Sequence, residues 1–139
     1  MIVKVLACGT FDLLHPGHLS FLMQAKKHGT HLTVCVARDE NVRRFKGHTP
    51  LWPEEKRMEL IAALPFVDEV MLGDLKDFLV PVRTVSPQVV VLGYDQCFPA
   101  PMQAYMEQQQ ITLVRLSSFL SEHFTSTRLK TSLLTAKME

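Results

Sequence analysis

The chain has 139 residues and a formal net charge of +1, and its composition is 47% hydrophobic and 21% charged. This size and hydrophobic content fit one domain over residues 1–139 and exclude an intrinsically disordered chain. A nearly balanced charge gives no support for broad binding to nucleic acid or to a membrane surface. The apolar runs are far shorter than a membrane span and no secretory signal is visible, so we expect a cytoplasmic protein.

Apolar runs rich in β-branched residues predict five strands, and the stretches between them have helical character. The predicted strands are residues 2–8, 32–37, 69–72, 89–92 and 111–116. Strands that alternate with helices indicate right-handed crossovers and a parallel sheet covered on both faces. We therefore expect an α/β, Rossmann-like, doubly wound parallel sheet of five strands with helices on both faces.

Local patterns place several of the connecting helices. Apolar residues recur at helical spacing after His18, which predicts a first helix. Residues 37–42 are interpreted as the end of the second strand. Pro53 and the two glutamates after it favour a helix start, and Pro65 is expected to end that helix. Pro81 predicts a short or broken helix within residues 75–85.

The junction between the first strand and the first helix has the sequence Gly-Thr-Phe-Asp-Leu-Leu-His-Pro-Gly-His, residues 9–18. His15 and His18 are three residues apart, which puts both imidazoles on one face of the incipient helix. Such a junction is the usual ligand crevice of an open parallel sheet. We expect the helix N-terminus to offer free backbone N–H groups and a partial positive charge, so the junction favours phosphate.

This segment resembles the H-x-G-H signature of the cytidylyltransferase-like nucleotidyltransferase superfamily. Its members transfer a nucleoside monophosphate from a nucleoside triphosphate to an acceptor and release pyrophosphate. The resemblance implies that His15 and His18 act in catalysis and that Mg²⁺, or another divalent cation, accompanies the triphosphate. It also implies a nucleotide site that includes Gly9, Thr10, Phe11, His15, Gly17 and His18.

The resemblance extends over nearly the whole chain. Superfamily members carry a lysine after the second strand that approaches the triphosphate, and Lys46 matches it; the alternative is a solvated lysine in a polar loop. A Gly-x-Asp element lies near the ribose and base in the superfamily, and Gly93 and Asp95 match it. Three roles are open for Asp95: a hydrogen bond to the ribose, a metal ligand, or the start of a turn.

Residues 124–130 resemble the closing Ser/Thr-rich motif of the superfamily. That motif opens a late helix, so Ser126 and Thr127 are expected to cap the helix and bind phosphates, and Arg128 to add charge. Many members have an Arg-x-x-Gly-like turn just before this motif. Residues 118–123 contain no arginine, so the chain departs from the pattern there.

Two short families fit the sequence as a whole, the archaeal-type FAD synthases, which adenylylate FMN, and the glycerol-3-phosphate cytidylyltransferases. The Ala-Arg-Asp-Glu-x-Val, Pro-Glu-Glu-Lys-Arg and Leu-Gly-Tyr-Asp-Gln stretches are more similar to the FAD synthases, so ATP and FMN are the preferred substrates. Sugar-phosphate members that make ADP-heptose are a third fit. The candidate acceptor-binding residues are Asp12, Trp52, Arg57 and Phe98.

Within that acceptor set, Trp52 and Phe98 are candidates for an apolar platform under a flat flavin ring, and core or interface positions are the alternative. Arg57 has two open roles, a structural ion pair and a site contact. A hypothesis of another class is a nucleotide-binding regulator that has lost turnover, for which the altered stretch before Ser126 is the support. Small superfamily members are commonly homodimers, and the resemblance implies the same here.

Overall fold

The computed structural model describes residues 1–93 and 100–116, which form a five-stranded parallel sheet with helices between the strands. The strands are β1 (Lys4–Gly9), β2 (His31–Val36), β3 (Glu69–Leu72), β4 (Val89–Gly93) and β5 (Thr112–Leu116). The helices are α1 (Pro16–Lys26), α2 (Asp39–Lys46), α3 (Glu54–Ala62), α4 (Val80–Val85) and α5 (Ala100–Gln108). No helix in the described ranges is long and apolar enough to cross a membrane.

The core consists of two apolar layers, one on each face of the sheet, because successive strand residues point to opposite faces. On one face, Leu22 of α1 and Ile61 of α3 pack against the strands. On the other face, α4 and α5 contribute Val82, Val85 and Met106. Helices on both faces of a parallel sheet confirm the predicted doubly wound fold.

The strand order β3-β2-β1-β4-β5 reverses direction between β1 and β4. The chain moves outward in one direction from β1 through β2 to β3, and then returns to the other side of β1 to form β4 and β5. Such a switch point opens a crevice beyond the carboxyl ends of the two central strands. Gly9 ends β1 and Gly93 ends β4, so both residues lie at this crevice.

All five predicted strands are present, and no strand end differs from its predicted position by more than two residues. Helix α3 begins directly after Pro53, as predicted, but ends at Ala62, three residues before Pro65. Helix α4 is short, as Pro81 indicates. The interpretation of residues 37–42 as the end of the second strand was wrong, because β2 ends at Val36 and helix α2 begins at Asp39.

Two glycines offer a matched test of packing. An added Cβ at Gly29 would lie 2.5 Å from the Val3 carbonyl oxygen and 2.6 Å from Val5 Cγ2, whereas at Gly73 the nearest atom, Cys35 Sγ, is 3.6 Å away. We expect Gly29→Ala to lower the free energy of unfolding by about 1–3 kcal/mol. Gly73→Ala should leave it unchanged or raise it by about 0.4–1 kcal/mol. Urea denaturation of both variants checks this, and equal losses would contradict the packing described here.

Candidate functional site

The loop between β1 and α1 is shaped by the ring of Phe11. Phe11 is buried and lies so close to Gly9 that a Cβ on Gly9 would be 2.7 Å from the ring, which explains the glycine. The same ring contacts His18 edge-on at 5.5 Å between centroids. Phe11 and Leu13 adopt φ values of +52° and +53°, an unfavourable conformation for non-glycine residues, so packing holds this loop in shape. The Phe11 side chain belongs to the core, which leaves its backbone for any contact with a nucleotide.

His15 caps the N-terminus of α1 and takes up its first backbone donors. His15 Nδ1 accepts the Gly17 N–H at 3.0 Å, and the His15 carbonyl accepts those of His18 and Leu19 at 2.9 and 3.2 Å. Pro16, at the first helical position, has no N–H to offer. The expectation of free N–H groups at this helix start is therefore wrong for these residues, and attraction for an anion must come from side chains and the helix dipole.

The two imidazoles are stacked, with centroids 3.8 Å apart and planes inclined by 20°. Because Nδ1 of His15 accepts a hydrogen bond, the proton of the neutral ring is on Nε2. That Nε2 is buried and has no hydrogen-bond partner among the described residues. A buried donor without an acceptor is costly, so this atom is suited to a ligand oxygen.

Both histidines are held in the neutral form by their surroundings. Burial, the repulsion that a protonated His15 would exert and the ammonium of Lys46 together lower the pKa of His18 from 6.5 to about 3, while Asp12 acts in the opposite direction. Burial also lowers the pKa of His15. Neutral imidazoles donate hydrogen bonds without bringing a second full positive charge next to Lys46.

Lys46 reaches the crevice from the C-terminal end of α2. Its Nζ donates to Thr10 Oγ1 at 3.1 Å, which places the ammonium beside the β1–α1 loop. Gly47 follows with φ of +80°, the left-handed conformation that commonly ends a helix. The structure therefore brings together Thr10, His15, His18 and Lys46, which the sequence predicted for one site.

Arg57 is 1% exposed and joins three segments around the site. Its guanidinium donates to the carbonyl oxygens of Thr10 at 2.7 Å and Trp52 at 3.0 Å, and to Asp39 Oδ1 at 2.6 Å. Of its two open roles, these contacts support the structural one. Arg57 positions the β1–α1 loop, the segment before α3 and the start of α2 relative to one another.

Asp12 is also buried, and both of its carboxylate oxygens accept backbone N–H groups. Leu51 donates to Oδ2 at 2.8 Å and Trp52 donates to Oδ1 at 3.1 Å. These bonds support a role for Asp12 in holding residues 51 and 52 against the β1–α1 loop. They also fix the backbone of Trp52, whose side chain is half-buried.

A reciprocal cap between α2 and α3 completes this framework, and it was not predicted from the sequence. Asp39 Oδ2 accepts the Glu54 N–H at 3.1 Å, and Glu54 Oε1 accepts the Asp39 N–H at 3.2 Å. Arg38 forms an ion pair with the same Glu54 carboxylate. Acidic residues at both helix starts are the sequence signal for caps, but their pairing across 15 positions has no local signature.

Gly93 is the predicted nucleotide-binding residue on the β4 side of the crevice. Gly93 ends β4, and its carbonyl accepts a hydrogen bond from Arg115 at 3.1 Å. The remaining predicted residues, Asp95, Phe98, Ser126, Thr127 and Arg128, lie outside the described residues.

Comparison with known proteins identifies the family. The model of the family described as cytidylyltransferase-like matches residues 6–135, almost the whole chain. The chain belongs to the cytidylyltransferase-like family. The membership predicted from residues 9–18 is thereby confirmed.

Individual relatives and a solved structure are also similar to the chain. The FAD synthase of Methanospirillum hungatei JF-1 is 44% identical over 91% of this chain and 82% of its own length. The FAD synthase of Ferroglobus placidus is 50% identical over 68% of this chain, and the match spans 61% of that relative, less than two thirds of it. The lipopolysaccharide core biosynthesis protein from Thermoplasma volcanium GSS1 superposes with a TM-score of 0.77 at 39% identity, covering 86% of this chain and 99% of that one.

Arg57 provides a test of the framework. Replacing Arg57 with Met leaves two carbonyls and one carboxylate without their donor, so we expect a loss of about 3–5 kcal/mol in the free energy of unfolding. Arg43→Met on the exposed side of α2 is the matched control and should change it by less than about 0.5 kcal/mol. Chemical denaturation measures both; a loss below 1 kcal/mol for Arg57→Met would contradict the positioning role.

The depressed pKa of His18 makes stability depend on pH. Between pH 6.5 and pH 3 the unfolded state binds a proton at His18 that the folded state does not, so stability falls as the pH falls through this window. Between pH 7 and pH 5 the wild type should therefore lose about 2 kcal/mol more than His18→Gln. Denaturation of both proteins at the two pH values decides this, and identical losses would show that His18 titrates normally.

Proposed function

We propose that this protein is an FAD synthase that transfers the adenylyl group of ATP to FMN and releases pyrophosphate. The observation that carries the proposal is the buried, unpartnered Nε2 of His15, whose ring is stacked on a neutral His18 in a cytidylyltransferase-like fold, where Lys46 contacts Thr10 of the same loop. FMN is chosen as the acceptor because relatives named FAD synthase are 44% and 50% identical.

The chemistry requires no covalent intermediate on the protein. A phosphate oxygen of FMN attacks the α-phosphorus, and the bond from that phosphorus to the oxygen bridging to the β-phosphate breaks as pyrophosphate leaves. Since both reactants are polyanions, the protein acts by aligning them and neutralising charge. His15 donates through Nε2 to a phosphate oxygen, His18 provides a second donor, and the ammonium of Lys46 balances the charge that develops.

The roles assigned to the other nucleotide-binding residues are also part of the proposal. Gly9, Thr10 and Gly17 bring backbone close to the triphosphate, and Gly93 and Asp95 lie toward the ribose and base. Ser126, Thr127 and Arg128 bind phosphates from the far end of the chain. Asp12 and Arg57 are proposed as framework residues and not as direct acceptor ligands, because their polar atoms serve residues 10, 39, 51 and 52.

Mg²⁺ fits a site of this chemistry as a companion of the triphosphate. No cluster of three or more His, Cys, Asp or Glu side chains capable of holding a metal occurs within residues 1–93 and 100–116. A cation that keeps waters and phosphate oxygens as ligands needs few protein ligands. Asp95 is the residue that we propose as a protein ligand. When bound, the cation neutralises phosphate charge. We further propose that the protein acts in the cytoplasm, where ATP is supplied, and as a homodimer.

The proposal is tested by pyrophosphate release with Mg²⁺, crossing ATP and CTP against FMN, glycerol-3-phosphate and a heptose phosphate. We expect release with ATP and FMN. His18→Ala should lower the rate about 10²- to 10³-fold with the fold intact, because it removes a donor to the reacting phosphates. His28→Ala, at an exposed position just beyond the C-terminal end of α1, is the control and should retain the rate.

Other outcomes have definite meanings. Release with CTP and glycerol-3-phosphate alone would replace the substrates and retain the mechanism. Release with ATP and the heptose phosphate would place this chain with a sugar-phosphate function. Nucleotide binding without release in every combination would favour the regulatory alternative.

A further inference from the structure

Phe45 and Phe78 form an aromatic pair on the surface, next in the chain to the proposed phosphate ligand Lys46. Phe45 is 64% exposed and Phe78 is 39% exposed. Their ring centroids are 5.6 Å apart, with planes inclined by 54°. Single exposed apolar residues are ordinary, but two phenylalanines that meet in water indicate a contact surface.

The pair is held in place by the segments that carry it. Phe45 belongs to α2, and Phe78 to the connection between β3 and α4. Asn41 Nδ2 donates to the Asp74 carbonyl at 3.0 Å, and Arg44 donates to the Leu75 carbonyl at 3.0 Å, so α2 is bound to that connection. The Arg44 guanidinium also lies 5.3 Å from the centre of the Phe45 ring. The two rings therefore form a surface that exists before any ligand arrives.

The position of the pair in the sheet matches the acceptor side of the crevice. Strands β2 and β3 lie on one side of β1, whereas β4 and β5 lie on the other. The ribose and base are proposed to lie toward Gly93, at the end of β4. Lys46 enters from the β2 side and meets Thr10. The side of the crevice next to β2 and β3 therefore remains for the acceptor, and Phe45 and Phe78 lie on that side.

We propose that Phe45 and Phe78 form the surface on which the isoalloxazine ring of FMN packs, while Lys46 binds its phosphate. This inference rests on the proposed function and assigns its acceptor subsite. FMN has a flat, largely apolar ring system at one end and a doubly charged phosphate at the other. The end of α2 offers the same two properties, because the exposed ring of Phe45 is flanked in sequence by the cationic residues Arg44 and Lys46.

The test is steady-state kinetics of FAD formation by the full chain. Phe45→Ala and Phe78→Ala should each raise the KM for FMN roughly five- to tenfold, because each removes one aromatic contact. The KM for ATP should stay the same in both variants. Phe45→Tyr keeps an aromatic face and should retain the wild-type KM for FMN. Met23→Ala, which removes an exposed apolar side chain from α1, is the control and should change neither KM.

Riboflavin separates the ring from the phosphate, because it has the flavin ring and no phosphate. Its inhibition constant against FMN should rise in Phe45→Ala by the same factor as the KM for FMN. The inhibition constant of riboflavin should be unchanged in Lys46→Ala, because that variant loses a contact to the FMN phosphate, which riboflavin does not have. An inhibition constant that responds to Lys46→Ala but not to Phe45→Ala would overturn the assignment of the ring to this surface.

The remaining outcomes distinguish this inference from the proposed function. If the wild type forms FAD and neither alanine variant changes the KM for FMN, the flavin surface is wrong and the function stands. If the variants become monomeric at an unchanged KM, the pair is a contact between two copies of the chain. If the wild type forms no FAD from ATP and FMN, the proposed function fails and this inference fails with it.

Discussion

The buried guanidinium of Arg57 holds together the parts of the chain that make up the crevice. A cation removed from water is tolerated only when its donors find acceptors, and here these come from Thr10, Trp52 and Asp39. None of the three segments contributes to the sheet at these residues, so sheet formation alone does not set their relative positions. The shape of the proposed phosphate site therefore depends on a residue that we do not expect to touch the substrate.

The reciprocal cap between Asp39 and Glu54 also helps to set the position of Lys46, at the far end of α2. Each carboxylate accepts the first backbone N–H of the other helix, so the two N-termini are fixed together while their dipoles are both complemented. Since α2 is a short, stiff rod, fixing its start also fixes where it ends. Lys46 is delivered to Thr10 by an arrangement made a full helix length away.

The strands and the family were predictable because their signals are local and strong. Continuous apolar runs mark buried parallel strands, and residues 9–18 carry a dense motif. Helix α2 was missed because it is only eight residues long and mostly charged, and only Asn41 and Val42 of it are buried, so its apolar pattern is too short to mark a helix. The pairing of Phe45 with Phe78 and the partners of Arg57 were equally invisible, because they depend on contacts between residues far apart in the chain. The sequence motif also did not show that His15 caps α1, so the backbone N–H groups at the start of this helix were wrongly expected to be free.

The two nitrogen atoms of the His15 ring have different roles. Nδ1 accepts the Gly17 N–H in the first turn of α1, while the opposite nitrogen carries the proton and is buried without a hydrogen-bond partner among the described residues. Among side chains, a neutral imidazole is rigid and carries an acceptor and a donor on opposite sides. Asparagine could accept the Gly17 N–H as Nδ1 does, but its side chain is too short to place a donor where Nε2 lies. Glutamine could place a donor nearer to that position, but it would not accept the Gly17 N–H in the same close geometry. At this position the requirements of folding and of the proposed catalysis converge on one chemical group, so a substitution that relaxes one of them disturbs the other.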